Sequence, residues 1–235
     1  GLTDRIINDV RQLCVFTTHT PVEAGHDHFS IYQVREIVGD HPVFDRPDLY
    51  GEGETLNTTR LAMNFSSFAN AVSQKHGEVS RGMFPGYDIH AITNGVHAST
   101  WAHPAMRDLF DRHCERWRRD NADLRLASRI PDESIHAAHK AAKGELLEML
   151  ADRTDAKLNP DALTVVFSRR VTEYKRPALL MSDIERLLAI HERFPLQIIY
   201  AGKSHPRDQR GKETIATIVQ ASEKLKGTLP IVFYQ

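Results

Sequence analysis

The chain has 235 residues, enough for one large domain or parts of two. Its 41% hydrophobic and 26% charged content is that of a folded globular protein. The formal net charge of −1 leaves no overall field for nucleic acid or an acidic membrane surface, so any anion site must be local. No apolar stretch approaches the length of a membrane span, and the N-terminus lacks a basic-then-apolar signal pattern. The two cysteines, Cys14 and Cys114, are in no metal-like spacing, and Cys14 in the run Leu13-Cys14-Val15-Phe16 reads as a buried inert thiol, which fits a reducing cytoplasm.

In chain order, residues 4–12 are amphipathic and read as a helix, followed by a short strand from Leu13 to Thr17 that runs into polar Thr18-His19-Thr20-Pro21. Residues 31–53, rich in Gly, Pro and Asp, read as irregular loop. From Glu54 to about Arg81, Leu61, Phe65, Phe68, Val72 and Val79 recur at helical spacing, and the sequence predicts one long helix ending at Gly82. A second short strand, Ile89 to Ile92, again ends in polar residues, Thr93-Asn94-Gly95-Val96-His97. Residues 101–150 look helical throughout. Pro131-Asp132 offers a start signal there, and Ile135, Ala138, Leu146, Met149 and Leu150 form the expected buried stripe.

Beyond a linker at residues 152–161 the pattern changes. Leu163 to Phe167 reads as a buried strand, and Pro177 as the first turn of a helix carrying Leu180, Ile184, Leu187 and Leu188 inward. A strand at Leu196–Tyr200, a loop at Gly202–Gly211, a helix bearing Ile215, Ile218, Val219 and Leu225, and a last strand from Ile231 complete the series. Strand, helix, strand, helix, strand predicts an α/β fold with a doubly wound parallel sheet. Three strands are few for such a domain, and the chain opens on Gly1 without a Met, so the sequence reads as a piece of a longer protein.

In open parallel sheets, ligands bind beyond the carboxyl ends of the strands. Four strands here end in polar residues that no core needs: Thr17–Thr20, Thr93–Gly95, Ser168–Arg170 and Gly202–His205. The most charged follows Phe167. Ser168-Arg169-Arg170-Val171-Thr172-Glu173-Tyr174-Lys175-Arg176 carries a net +3 between a strand and an expected helix N-terminus, where free backbone N–H groups favour an anion. Each charge-assisted hydrogen bond to a phosphate could return about 1.5–3 kcal/mol. A solvated basic turn paired with neighbouring acids would give the same pattern.

The wording of these segments resembles the α-glucan phosphorylases. Arg169-Arg170-Val171-Thr172-Glu173-Tyr174-Lys175-Arg176 is similar to that family's phosphate-binding motif, Lys-Arg-x-His-Glu-Tyr-Lys-Arg. The run Val15 to Asp27 resembles its substrate-site segment in the form of the shorter prokaryotic branch. Asn70-Ala71-Val72, His76-Gly77-Glu78-Val79-Ser80, Thr93–His97 and Ala201-Gly202-Lys203-Ser204-His205-Pro206 also match in order, along nearly the whole chain.

The resemblance implies two Rossmann-like domains of a GT-B-type glycosyltransferase, with only the end of the first (residues 1–97) and the start of the second (98–235) present. It implies phosphorolysis of terminal α-1,4-linked glucose by orthophosphate, giving glucose 1-phosphate with retention. The implied cofactor is pyridoxal phosphate in the full-length protein, and its lysine is expected beyond Gln235, so none of the cofactor is held covalently in this chain. Carried over by position, Arg170 and Lys175 would bind the substrate phosphate, His19 and Asn94 would contact the glucosyl hydroxyls, and Val72 would line the same pocket. Thr172 stands where longer members have His, and Ala71 where they usually have Gly.

No metal, nucleic acid or membrane partner is expected, and a homo-oligomer is compatible with the sequence. A nucleotide-sugar transferase of the glycogen synthase kind and a non-catalytic carbohydrate-binding remnant are the competing readings. Among residues outside the motifs, His26-Asp27-His28 reads as surface loop or local hydrogen bonding, His76 as a satisfied core histidine, and Arg116–Arg119 as an exposed helix face. Glu173 is expected to orient Lys175 or Arg176, and Lys203 and His205 to belong to a solvated basic loop.

Overall fold

The computed structural model describes residues 1–51 and 53–234, which fall into two compact α/β units, Gly1–Val96 and His97–Gln235. In the first, helix α1 (Asp4–Leu13) is capped by Thr3 and leads into strand β1 (Val15–Thr18). β1 pairs in parallel with β4 (Phe68–Ala71), and β4 with β5 (Ile89–Ala91), in the order β1-β4-β5. Between β1 and β4 lies a separate antiparallel pair, β2 (His28–Ser30) with β3 (Thr55–Asn57). It is packed by α2 (Ile31–Val38), α3 (Pro47–Tyr50) and α4 (Thr58–Asn64) around Ile31, Phe44, Tyr50 and Leu56.

Two expectations fail here. Residues 31–51 of the stretch expected to be irregular over 31–53 are not so: Gly and Pro punctuate short helices there, and α2 and α3 are each ended by a glycine of positive φ, Gly39 (82°) and Gly51 (154°). The expected long helix over 54–81 is four elements, because polar caps interrupt its apolar spacing. Asn57 accepts the Arg60 N–H (3.0 Å) to start α4, and Ser73 accepts the His76 N–H (3.1 Å) to start α5 (Gln74–Met83). Between them, Phe68–Ala71 is the middle strand of the sheet. Ala71 is fully buried in ordinary strand register with Thr18 and Ala91, so this position needs no glycine.

The second unit opens with α6 (Ala98–Trp101) and α7 (Pro104–His113), and a 3₁₀ stretch (Asn121–Arg129) precedes the long α8 (Asp132–Arg153). Residues 101–150 are thus helical in pieces rather than throughout. Trp117, expected on an exposed helix face, lies in a turn and is fully buried with Leu109, Cys114 and Ile130. Its indole N–H donates to Asp111 (2.8 Å), whose carboxylate also takes two hydrogen bonds from Arg118 at 2.8 and 2.7 Å. Arg116 pairs with Asp123 (3.2 Å). Cys114 is the buried thiol and Cys14 only half-buried, the reverse of what the apolar run around Cys14 suggests.

Three parallel strands, β6 (Leu163–Ser168), β7 (Leu196–Ala201) and β8 (Ile231–Tyr234), lie in the order β6-β7-β8. The connecting helices α9 (Ile184–Arg193) and α10 (Gln209–Lys224) bring Leu187 and Ile218 against Ile198 and Tyr200. Helix α8 sets Leu147 and Leu150 against Ile199, on the opposite face of β7. Gln197 is fully buried yet satisfied, bonding both backbone groups of Asn159 (2.8 and 3.0 Å) and the Thr164 hydroxyl (2.9 Å). β7, not β6, is the buried strand. Leu163 is 61% and Val166 48% exposed, since β6 is an edge among the described residues and a continuous apolar run does not tell edge from centre. Ile135, expected in the stripe of α8, is also exposed.

No α-helix starts at Pro177. After β6 come two 3₁₀ turns, Glu173–Lys175 and Leu179–Ser182, and α9 begins only at Ile184, where Asp183 accepts the Arg186 N–H (3.0 Å). Arg176 is left-handed (φ 50°, ψ 52°), the one non-glycine residue of positive φ among those described, and it breaks the helical path that Pro177 was expected to begin. The β6–β7 ladder outlasts its strands: the Arg169 N–H donates to Ala201 C=O (3.1 Å) and the Val171 N–H to Lys203 C=O (3.0 Å). At Gly202 (φ 143°) a Cβ would lie 2.1 Å from the Arg169 carbonyl oxygen.

Two outcomes are expected. Gly202→Ala should lower unfolding stability by about 3 kcal/mol in a urea titration, because both the steric overlap and the φ oppose a side chain there. Arg118 first, and Trp117 second, hold the Asp111 carboxyl down to about 2 from the ordinary 3.8. A depressed carboxylate contributes stability above its unfolded value and loses it as pH falls through the folded one. Trp117 emission should therefore report loosening as pH drops from about 4 towards 2, and Asp111→Asn should blunt that acid sensitivity.

Candidate functional site

In the first unit, the carboxyl ends of β1, β4 and β5 lie side by side, because register pairs Thr18 with Ala71 and Ala71 with Ala91. His19, Val72 and Asn94 follow those three ends. The ladder continues into the loops: the Ile92 N–H donates to Ala71 C=O (2.9 Å) and the Asn94 N–H to Val72 C=O (3.1 Å). His19 and Asn94 are exposed and Val72 is half-buried. Beneath them Asn70, buried, accepts from the Thr17 hydroxyl (3.0 Å) and donates to Ala71 C=O (3.3 Å), tying β1 to β4 through a side chain. The structure thus gathers three of the five singled-out residues at one sheet end.

His76 supports the same corner. It is buried, and its Nδ1 accepts the Val72 N–H (3.3 Å). Its Nε2 has no partner among the described residues, so only one of its two nitrogens is satisfied. His26, read as surface loop or local hydrogen bonding, is buried and hydrogen-bonded. It bonds the Thr59 hydroxyl (2.8 Å) and Thr20 C=O (3.2 Å) and meets the Phe84 ring edge-on at 5.0 Å, fixing the loop that follows His19. Among the described residues no three His, Cys, Asp or Glu side chains gather as a metal group would require.

In the second unit, Arg170 and Lys175 sit on the turn that leaves β6. Val171 anchors the turn at 1% exposure, while Arg169, Arg170 and Arg176 are exposed and Lys175 is half-buried. Lys175 lies over its neighbour's ring, 5.6 Å from the Tyr174 centroid. Glu173, expected to orient Lys175 or Arg176, pairs with Arg210 of α10 at 2.9 Å. Glu173 is the turn's own acid, and with it engaged elsewhere none of the turn's four cations has an ion-pair partner among the described residues. The charge here is therefore carried by side chains, not by the helix N-terminus that the sequence suggested.

Sequence reasoning set Lys203 aside, but the ladder between Arg169–Val171 and Ala201–Lys203 holds its backbone against the turn. The signal that could have found it is the glycine before it, at a strand end next to a basic segment. Arg116 and Arg118, by contrast, are taken up by Asp123 and Asp111.

Among the described residues no helix is long and apolar enough to cross a membrane. Residues 23–234 match the family model described as carbohydrate phosphorylase. The chain is similar to the maltodextrin phosphorylase of Thermococcus litoralis, 36% identical over 91% of this chain and 30% of that protein. It is also similar to the glycogen phosphorylases of Aquifex aeolicus (34% identical, 93% of this chain, 37% of that protein) and Mycobacterium tuberculosis (35% identical, 94% and 31%). It spans about a third of the length of these relatives, which are 30%, 37% and 31% covered. With a match over residues 23–234 that reaches into both units, the chain belongs to the carbohydrate phosphorylase family.

Proposed function

We propose that this chain works as part of an α-glucan phosphorylase, which uses orthophosphate to release terminal α-1,4-linked glucose as glucose 1-phosphate with retained configuration. The observation that carries the reading is the Arg169–Arg176 turn, whose cations are without carboxylate partners among the described residues while Glu173 is held by Arg210. A merely solvated basic turn would be expected to pair with its own acid. The names of the similar proteins, maltodextrin and glycogen phosphorylase, support the substrate class. In the proposal, residues 1–97 are the glucan side and residues 98–235 the cofactor side of a cytoplasmic enzyme.

Arg170 and Lys175 bind the substrate phosphate. Arg offers a planar fork of N–H donors to two phosphate oxygens, and Lys a mobile point charge. His19 and Asn94 contact the hydroxyls of the terminal glucosyl unit and Val72 closes its apolar side, with the Val72–Asn94 hydrogen bond keeping the two in step. The donor set of the turn also fits a second phosphate, that of pyridoxal phosphate, since four cations exceed what one dianion needs. When bound, that cofactor supplies a phosphate group able to exchange a proton with the substrate phosphate. Two unit charges 4 Å apart repel by about 4 kcal/mol at an effective dielectric of 20, so close approach of two phosphates requires such cations. The turn's role is to hold the phosphate and neutralise charge as the glycosidic bond breaks.

Arg170→Ala in the full-length protein should lower kcat/KM for orthophosphate by at least about 100-fold without changing the melting temperature, because the side chain leaves the turn towards solvent. Phosphorolysis near the wild-type rate in that variant would refute the assignment. Borohydride reduction of the full-length protein should fix pyridoxal phosphate to a lysine, detected as a mass increase on one peptide. A nucleotide-sugar transferase would show no such adduct.

A further inference from the structure

We propose that Lys203 is a further phosphate-binding residue, and that the anion grip comprises two segments, Arg169–Arg176 and Gly202–Ser204. The inference rests on the reading of the Arg170 turn as a phosphate site and adds a residue to it. The backbone geometry comes first. The Arg169 N–H to Ala201 C=O and Val171 N–H to Lys203 C=O bonds carry the parallel pairing three residues past the end of β6 and two past the end of β7. Lys203 therefore lies one strand spacing, about 5 Å, from Val171, the residue following Arg170. The loop cannot drift away without breaking both bonds.

Gly202 makes the approach tight. The Arg169 carbonyl oxygen occupies the place a Cβ would take, 2.1 Å from it, so the two chains pack backbone to backbone. Glycine at a ligand-facing strand end is the residue that permits such contact. Gly211, at the start of α10, closes the other side. A Cβ there would come within 2.8 Å of both the Val171 carbonyl oxygen and the Ser204 Cβ, so helix, loop and turn are in mutual contact at this point.

Charge comes second. Lys203 and Lys212, with Ser204 and Ile215, line a hollow of about 240 Å³ beside this junction. Neither lysine has an ion-pair partner among the described residues, although acids stand nearby: Asp208 caps α10 by accepting the Gly211 N–H (2.9 Å), and Glu173 is engaged by Arg210 (2.9 Å). Placing Lys203 against an already cationic turn costs repulsion unless an anion is shared between them. A phosphate dianion is the ligand that the cation excess matches, and the Ser204 hydroxyl is a further donor. Lys212 sits one turn into α10 and serves the hollow rather than the turn.

The test uses the full-length protein and orthophosphate. Equilibrium binding by ³¹P nuclear magnetic resonance and steady-state phosphorolysis are measured for wild type, Lys203→Ala, Lys203→Arg and Arg170→Ala. The expected result for Lys203→Ala is a roughly tenfold weaker phosphate Kd and a matching rise in phosphate KM, with glucan KM and melting temperature unchanged. Lys203→Arg should recover most of the loss. An unchanged phosphate Kd in Lys203→Ala overturns the inference, and so does an equal loss of glucan and phosphate affinity with a lowered melting temperature. If wild type shows no phosphorolysis but Arg170→Ala and Lys203→Ala both weaken phosphate binding, the enzymatic reading falls and the two-segment anion site stands.

Discussion

The second unit depends on one parallel ladder running past its own strands. β6 and β7 pair from Leu163↔Leu196 to Ser168↔Ala201, and the pairing persists through Arg169 and Val171 into the loops. Everything of chemical interest in that unit hangs from this extension. It places the cationic turn, it brings Gly202 to within contact of the Arg169 carbonyl, and it buries Val171 while Arg170 before it stays exposed. Backbone hydrogen bonds hold the start of the turn, and the ion pair of Glu173 with Arg210 engages its acid and none of its cations, which leaves its guanidinium and ammonium groups without an ion pair among the described residues. The proposed anion site would gain from this division, because the scaffold does not compete with a ligand for the same charges.

The first unit uses the same device with neutral groups. Its three strand ends are aligned by register, and the Ala71–Ile92 and Val72–Asn94 bonds prolong the sheet beyond the last strand residues. Buried polar side chains back them: Asn70 between strands, His76 under Val72, and His26 under Thr20. Polar atoms this close to a binding surface specify one arrangement of the loops, since each misplacement leaves a buried donor or acceptor unpaired.

How much of this was legible in the sequence differs by element. The strands ending in polar residues were readable because apolar runs stop abruptly at Thr18, Ile92 and Ser168. The helix expected over 54–81 was not four elements to the eye, since Leu61, Phe65, Phe68 and Val72 keep helical spacing while facing different neighbours. Only the caps, Asn57 and Ser73, mark the breaks, and they are common residues. Pro177 misled for the opposite reason. It is a good helix starter, but the left-handed Arg176 before it is invisible in composition. The partner of Glu173 came from thirty-seven residues downstream, and long-range pairing leaves no local trace. The hydrogen bonding of His26 was legible but its burial was not, and the burial of Trp117 was hidden by its charged neighbours, because burial is decided by what packs above a residue.

The left-handed backbone at Arg176 has a consequence for how this turn can vary. Holding a Cβ-bearing residue there costs about 1–2 kcal/mol relative to the right-handed alternative, and glycine would avoid that strain. A glycine would equally widen the choice of conformations open to the unfolded chain and loosen the corner between Lys175 and buried Pro177. The two effects oppose one another, so the position sits on a shallow optimum. Drift toward Gly or Asn would leave the stability of the fold nearly level while changing how sharply the lysine is aimed. In the proposed site, the aim of Lys175 and not the stability of the fold is then what a large side chain in so awkward a place would serve.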